Sequence, residues 1–404
     1  MKKSTVLGIA AAILFGGVSA HAEIPGNVVK IGVLNDATGP FADLSGPASV
    51  EAARLAVEDF TALGSQAFKV EIVYADHQNK ADVGAAITRK WVDQDGVDAV
   101  VDVPNTAVAF AVNDILRDKN RVFLASSVAS SDLTGPKCAA TTVQWTFDTW
   151  ALAHGTGSAV TRQGGDSWFF IAADYAFGQA LERDTSAVVL ASGGKVLGSV
   201  RHPLNTADFA SYLLQAQASK AKVVGLADAG SDAVTALKQA SEFGLMAGGQ
   251  RVAGLLVFLT DIHSLGLPAA QGLLLTEAFY WDLNAETRAW SARFAARTGG
   301  RMPTMNHAGV YSSVLAYLKA VAASKTIEGG KVVDEMKRLP INDPLFGGTV
   351  TIRADGRAVH PMYLFQVKTP AESKAPWDYY TLVATIPAQE AFRPLAEGGC
   401  GLVK

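Results

Sequence analysis

Short apolar runs alternate with amphipathic stretches along this chain, and the beat is regular enough to restrict the fold sharply. Val28 to Leu34 reads as a buried strand. A loop rich in Asp, Thr, Gly and Pro follows, then a helix with Val50, Ala53, Val57 and Phe60 at helical spacing. Phe68 to Tyr74, Val97 to Val103 and Arg121 to Ala125 give three more strands. Helices separate them, one over 81–94 and one opening at Pro104-Asn105-Thr106 and ending near Asp118. Strand, helix, strand with short links implies a parallel sheet covered on both faces.

The rhythm then repeats. Strands are expected over Ser167 to Ala173, Lys195 to Val200, Ala221 to Ala227 and Val252 to Phe258, with helices over 177–192, 207–219 and 231–243. The last segment makes no third unit of this kind. A strand over Gly272 to Phe279 precedes helices over 286–297, 307–323 and 330–338, and short strands over 348–353, 361–368 and 380–385 close the chain. Such a segment must complete both lobes, which calls for several chain crossings and a cleft with a hinge. The fold class is therefore α/β, with two doubly wound parallel-sheet lobes.

The 404 residues carry 49% hydrophobic side chains, enough for the large core such a fold needs. Lys and Arg number 35 against 38 Asp and Glu, so no basic surplus points to nucleic acid. Lys2 and Lys3, an apolar run from Val6 to Phe15 and Ala20-His21-Ala22 read as a cleaved secretory leader over 1–22, placing the mature chain, from Glu23, outside the cytoplasm. No cysteine follows the cleavage point, so a lipid anchor is not expected. In an oxidising compartment Cys138 and Cys400, in Gly-rich loop and tail sequence, can pair; two unrelated thiols are the alternative.

Catalytic signatures are missing. The chain has no G-x-S-x-G, no H-E-x-x-H, no Walker P-loop and no G-x-G-x-x-G. Ser192-Gly-Gly-Lys195 matches S-x-x-K but falls on a helix-to-strand turn. The histidines are scattered without metal-ligand spacing. No enzyme activity, metal or cofactor is expected.

Ligands of open α/β sheets bind beyond the carboxyl ends of the strands. Thr38 to Phe41 follow the first strand. Asn105 and Thr106 open a helix after the third, where free backbone amides favour a carboxylate; either residue is equally readable as a plain helix cap. Ser126 to Ser130 follow the fourth and offer hydroxyls and amides, Ser127 among them. In the second unit Asp174-Tyr175-Ala176-Phe177, Asp228-Ala229-Gly230 and Thr260-Asp261-Ile262-His263 take the same places. The first lobe reads as an anion holder and the second as a selectivity wall.

These segments resemble a known family. Lys30-Ile31-Gly32-Val33-Leu34, Thr38-Gly39-Pro40, Ala52 to Glu58, Tyr175-Ala176-Phe177-Gly178 and Leu237-Lys238-Gln239-Ala240 are similar to the branched-chain amino acid (Leu/Ile/Val-binding) type of periplasmic solute-binding protein that feeds ABC importers. The resemblance covers essentially the whole mature chain. It implies a type I periplasmic binding fold with a three-crossing hinge. The lobes would comprise residues 23–148 plus 276–342 and 149–275 plus 343–385, with 386–404 as a tail. It implies carboxylate contacts around Asn105, Thr106 and Ser127 to Ala129, an aromatic contact at Phe177 with Tyr175 nearby, and, for amino acid binders, an acidic partner at Asp261 or Asp228. Leu226 to Asp232, Glu242-Phe243-Gly244 and the C-terminal cysteine resemble the branch that binds aromatic carboxylates such as benzoate and hydroxycinnamates. Phe41, Tyr175, Phe177 and Tyr280 would then wall a ring, and Asp228, Asp261 or His263 would meet a ring hydroxyl. The implied partners are that small carboxylate and a permease at the inner membrane, for a monomeric protein. A branched-chain amino acid binder and a ligand sensor for a membrane receptor are the alternatives.

Overall fold

The structure is a computed structural model and describes residues 24–64 and 68–403; the leader over 1–22 lies outside the described residues. The first sheet is parallel throughout, in the order β2-β1-β3-β4-β5. Its strands are β1 (Val28–Asn35), β2 (Lys69–Asp76), β3 (Ala99–Asp102), β4 (Val122–Ala125) and β5 (Thr142–Gln144). Helices α1 (Ala48–Ala62), α2 (Ala81–Lys90) and α3 (Thr106–Asp118) link its strands. The fifth strand escapes a hydrophobicity reading because two of its three residues are polar. Both are buried and satisfied: the Thr142 hydroxyl donates to Asn113 Oδ1 (2.5 Å), and Gln144 Nε2 donates to the Val128 carbonyl (2.8 Å).

The chain then enters a second parallel sheet through two short helices, α4 (Thr149–Leu152) and α5 (Ser158–Arg162), joined by one wider π-type turn over Ala153–Gly157. Its order is β7-β6-β8-β9, from β6 (Ser167–Ala173), β7 (Lys195–His202), β8 (Val223–Ala227) and β9 (Arg251–Gly254). Helices α6 (Ala176–Ala191), α7 (Ala210–Ala218) and α8 (Gly230–Glu242) connect them. The strand expected over Val252 to Phe258 ends at Gly254. Leu255 to Phe258 turn away, and α9 (Leu259–Leu265) starts at once. Its start is fixed by Asp261, whose carboxylate accepts from the Phe258 amide (2.9 Å). An apolar run buried in a loop is indistinguishable by composition from one buried in a strand.

The remaining elements are α10 (Leu267–Ala270), β10 (Leu274–Glu277), α11 (Ala285–Arg297), α12 (Met305–Ser324), α13 (Gly329–Arg338), β11 (Ile341–Asp343), β12 (Gly348–Ile352), β13 (Ala358–Val359), β14 (Met362–Val367), β15 (Tyr380–Ile386) and α14 (Ala388–Ala391). α12 packs on α1, β3 and β4, completing the first lobe, while β10 and β14 pair antiparallel and lie against the Ala153–Gly157 turn. Residues 343–359, expected with the second lobe, lie against the first. β12 pairs with β11 and β13, β12 touches α13, and Gln144 of the first sheet bridges Arg357.

Arg357 ties the crossings together. It is fully buried and donates to the backbone carbonyls of Phe147 (2.8 Å), Ala358 (2.9 Å) and Trp145, with the Asp148 carboxylate 3.6 Å away. Burial pulls its pKa down to about 10. A buried cation is tolerable only with its donors satisfied this way. A disulfide joins Cys138 to Cys400, at a Cα separation of 5.7 Å, and holds the tail to the first lobe. No helix among the described residues is long and apolar enough to cross a membrane.

Candidate functional site

The carboxyl ends of both sheets face one another across a narrow cleft. In the first lobe the loop after β1 is held by Asp36, whose carboxylate accepts from the amides of Gly39 (2.8 Å) and Phe41 (2.9 Å) and from Asn79 Nδ2 (2.6 Å). That pins Pro40 and Phe41 toward the other lobe. β3 ends in a strained corner. Asp102 and Val103 have φ of 86° and 60°, in the left-handed region where a β-branched residue is a rare outlier. The buried Asp102 carboxylate secures the corner by accepting from Ser45 Oγ (2.7 Å), Asn35 Nδ2 (2.9 Å) and the Ser127 hydroxyl. Burial raises the Asp102 pKa, and these donors oppose the shift.

The lobes touch. The Ser231 amide, at the start of α8, donates to the Pro40 carbonyl across the cleft (3.1 Å). The approach depends on Gly230, whose φ is +64°; a Cβ there would lie 2.2 Å from the Pro40 oxygen and 3.1 Å from the Phe41 ring. This is the closed arrangement of the two lobes.

Between them lies a cavity with about 260 Å³ of empty space, counted out to the solvent. Its walls are aromatic. Phe41, Phe147, Tyr175, Phe177 and Phe258 line it together with Leu44, Pro104 and Leu256. Tyr175 and Phe177 lie 5.8 Å apart at 50°, and Phe147 meets Phe258 edge-on at 6.1 Å. The polar share is small: Ser127, Asn306 and Tyr175 are the lining residues with polar side-chain groups, and no charged residue is among the lining.

Of the residues singled out from sequence, Phe41, Ser127, Ala129, Tyr175 and Phe177 therefore line one cavity. The others are placed differently. Asn105 caps α3, accepting from the amides of Ala107 (3.0 Å) and Val108 (3.2 Å), and Thr106 beside it is buried with its hydroxyl unpartnered. Thr38 is exposed, with its hydroxyl 3.4 Å from Asp76. His263 is exposed and stacks on Trp377 at 3.9 Å, with Nδ1 2.7 Å from the Tyr379 hydroxyl. Tyr280 is buried in the second lobe and donates to the Trp377 carbonyl (3.1 Å). Thr38, Asn105, Thr106, Asp228, Asp261, His263 and Tyr280 thus do not line the cavity. Asp261 sits behind Phe258, and burial lifts its pKa to about 7.

Asp228 is buried as well. It forms a buried cluster with His202 and Asp232, whose ligand-type atoms lie within 4.8 Å of one another. His202 Nε2 is 3.1 Å from Asp228 Oδ2, and its Nδ1 is 3.0 Å from the Pro203 carbonyl. Burial works against the imidazolium, yet the two carboxylates prevail and raise the His202 pKa. Asp232 is lifted to about 6 by burial and by Asp228. His202 thus packs between the Pro203 carbonyl and the Asp228–Asp232 pair. Sequence reading missed Leu44, Phe147, Leu256, Phe258 and Asn306. Phe258 was assigned to a strand, and Asn306 heads a helix from the last segment, where no strand end signals the cleft. A larger cavity, with about 1310 Å³ of empty space counted the same way, lies between α11, α12, α13 and β11, and none of these strand-end loops lines it.

The sequence profile described as periplasmic binding protein matches residues 28–374. A solved periplasmic binding protein from Burkholderia mallei is 47% identical; the match covers 94% of this chain and 100% of that one, with a TM-score of 0.90. A branched chain amino acid ABC transporter periplasmic ligand-binding protein from Burkholderia xenovorans LB400 is 38% identical, over 93% and 100% of the two chains, with a TM-score of 0.81. A solute-binding protein of an ABC transporter from R. palustris, solved in complex with benzoate, shares the fold at 18% identity, over 93% and 99%, with a TM-score of 0.78. Among curated proteins, Leu/Ile/Val-binding protein homolog 6 of Brucella abortus (strain 2308) is 28% identical over 228 residues, 55% of each chain. The match thus spans about half the length of the curated relatives.

Proposed function

Because the chain belongs to the periplasmic binding protein family, we propose that it is the extracytoplasmic solute-binding component of an ABC importer and that its solute is a small aromatic carboxylate. The observation that carries the solute class is the cavity wall: five aromatic side chains and no charged one. An α-ammonium in a closed cavity needs an anionic partner, since an unpaired buried charge is far costlier than an unpaired neutral group. The nearest carboxylates are committed elsewhere. Asp102 serves three donors, Asp228 faces His202, and Asp261 holds the Phe258 amide at a pKa of about 7. A ligand carboxylate, by contrast, can be met by neutral donors: the backbone amides around the cavity-lining Ala129, and the buried, unpartnered Thr106 hydroxyl two residues beyond the cavity-lining Pro104.

The proposed cycle begins with an open form, in which the two lobes stand apart. The first lobe takes the carboxylate, Tyr175 and Phe177 close over the ring, and the Ser231–Pro40 hydrogen bond forms across the seam. Ligand shifts the equilibrium only by its preference for the closed state. The closed form, in the periplasm after loss of the leader, then docks on the permease.

The test is a thermal-shift and calorimetry panel of benzoate, 4-hydroxybenzoate, 4-hydroxycinnamate, leucine and valine. A bound solute at 100 times its Kd adds about 2.7 kcal/mol of stability. A response to the aromatic acids alone supports the proposal. A response to leucine or valine alone, in keeping with the name of the 38%-identical relative, overturns the solute class and leaves the transporter role standing.

A further inference from the structure

We infer that Asn306 selects the solute, and that the solute carries, besides its carboxylate, a hydroxyl that donates to and accepts from the Asn306 amide. The inference rests on the aromatic-carboxylate reading above and adds the second polar group. Asn306 is the second residue of α12, is 0% exposed and lines the cavity. Neither its Oδ1 nor its Nδ2 has a hydrogen-bond partner among the described residues. Other buried amides are employed: Asn35 Nδ2 donates to the Gly46 carbonyl and Asp102, Asn113 is bound at both ends, and Gln144 donates to two carbonyls.

The helix start that carries the idle amide is anchored on both sides of Asn306. Thr304 Oγ1 donates to the Leu44 carbonyl (2.8 Å), and His307 Nε2 lies 2.9 Å from the Ser45 carbonyl. A primary amide left unpaired in an apolar cavity is expensive, and no group among the described residues offsets it. The compensation falls to whatever fills the cavity.

The chemistry of that group follows from the amide, which presents donors and an acceptor. A carboxylate only accepts, so it would leave Oδ1 idle. An ammonium only donates, so it would leave Nδ2 idle. A hydroxyl does both. The residues that sequence alone offered for this hydroxyl are occupied: Asp228 by His202, Asp261 by the Phe258 amide, and His263 by Tyr379 and Trp377 on the outside.

The experiment compares wild-type protein with Asn306→Leu, a near-isosteric apolar replacement, using benzoate, 3-hydroxybenzoate, 4-hydroxybenzoate and leucine in titration calorimetry. Wild type should bind one hydroxybenzoate at least tenfold more tightly than benzoate. The variant should lose that preference through a 10- to 100-fold weaker hydroxybenzoate, with benzoate changed less than threefold. Without ligand, N306L should melt at or above the wild-type temperature, since it removes an unpaired amide. Should N306L fail to fold, Asn306→Ser, which keeps a donor and acceptor, replaces it and should retain part of the preference. Equal loss of both acids, or a wild type indifferent to the hydroxyl, overturns this inference alone. A wild type that binds leucine and no aromatic acid overturns it together with the solute class.

Discussion

The disulfide offers the test with the most calculable outcome. Cys138 and Cys400 are 262 residues apart in sequence. Closing a loop of that length removes about 19 cal/mol/K of entropy from the unfolded chain, or about 5.6 kcal/mol at 25 °C in the chain-entropy treatment. Unfolding entropy near the midpoint is about 2.1 cal/mol/K per residue, or about 0.8 kcal/mol/K for a chain of roughly 380 residues. The double variant Cys138→Ala/Cys400→Ala should therefore melt roughly 7 °C below the wild type in a calorimetric scan. Thiol titration of the denatured wild type should find no free cysteine. The tail keeps its non-covalent holds: Arg393 Nη2 donates to the Ser131 carbonyl (3.0 Å), Arg353 Nη1 donates to the Arg393 carbonyl (2.7 Å), and Phe392 lies 4.3 Å beneath the Arg357 guanidinium. These keep the bond-free native state intact, so the loss belongs to the unfolded chain. A drop below about 2 °C would refute the reasoning, and rapid proteolysis after residue 386 in the variant would show the tail detaching before the lobes unfold.

Gly230→Ala should leave the fold intact and weaken solute binding at least tenfold in calorimetry, because the added Cβ meets the Pro40 carbonyl as the lobes close. Unchanged affinity would mean that the closed seam is not the binding state. Ser127→Ala strips a donor from the fully buried Asp102 carboxylate, and urea unfolding should find a loss of about 1–3 kcal/mol. Asp261 has a folded pKa of about 7, above its ordinary value. The folded chain therefore holds that proton longer than the unfolded one, and this contribution to stability falls as pH rises from about 4 to about 7. Urea midpoints across that range should fall less steeply in Asp261→Asn, and an unchanged slope would refute the assignment. His307, pulled down to about 4 by burial, acts in the opposite sense. It costs stability as pH falls from 6.5 toward 4, and His307→Gln should flatten that limb.

The alternation of strands and helices was legible because buried parallel strands must be apolar along their length, as Val29, Ile31, Val33 and Leu34 are at 0% exposure. Phe41, Ser127, Tyr175 and Phe177 were legible as cleft residues for a related reason: they follow strand ends directly, and in a parallel sheet all those ends point one way. The rule fails where a strand stops early. Val252 to Phe258 is uniformly apolar, yet its second half is loop, so the next four residues shift from cleft wall to helix and carry Asp261 behind Phe258 and His263 to the outside.

The sequence by itself thus determined the two sheets, their parallel order of elements and the loops that face a cleft, since these depend on hydrophobic period and chain polarity, which are local. Tertiary structure alone decided which polar groups in those loops are free. Asp228 and Asp261 resemble ligand partners in the sequence but are engaged by His202 and the Phe258 amide, whereas Asn306, in a helix far along the chain, is left idle at the cavity wall. Hydrogen-bond supply and demand is settled between residues distant in sequence, and only their final positions show which groups remain for a ligand.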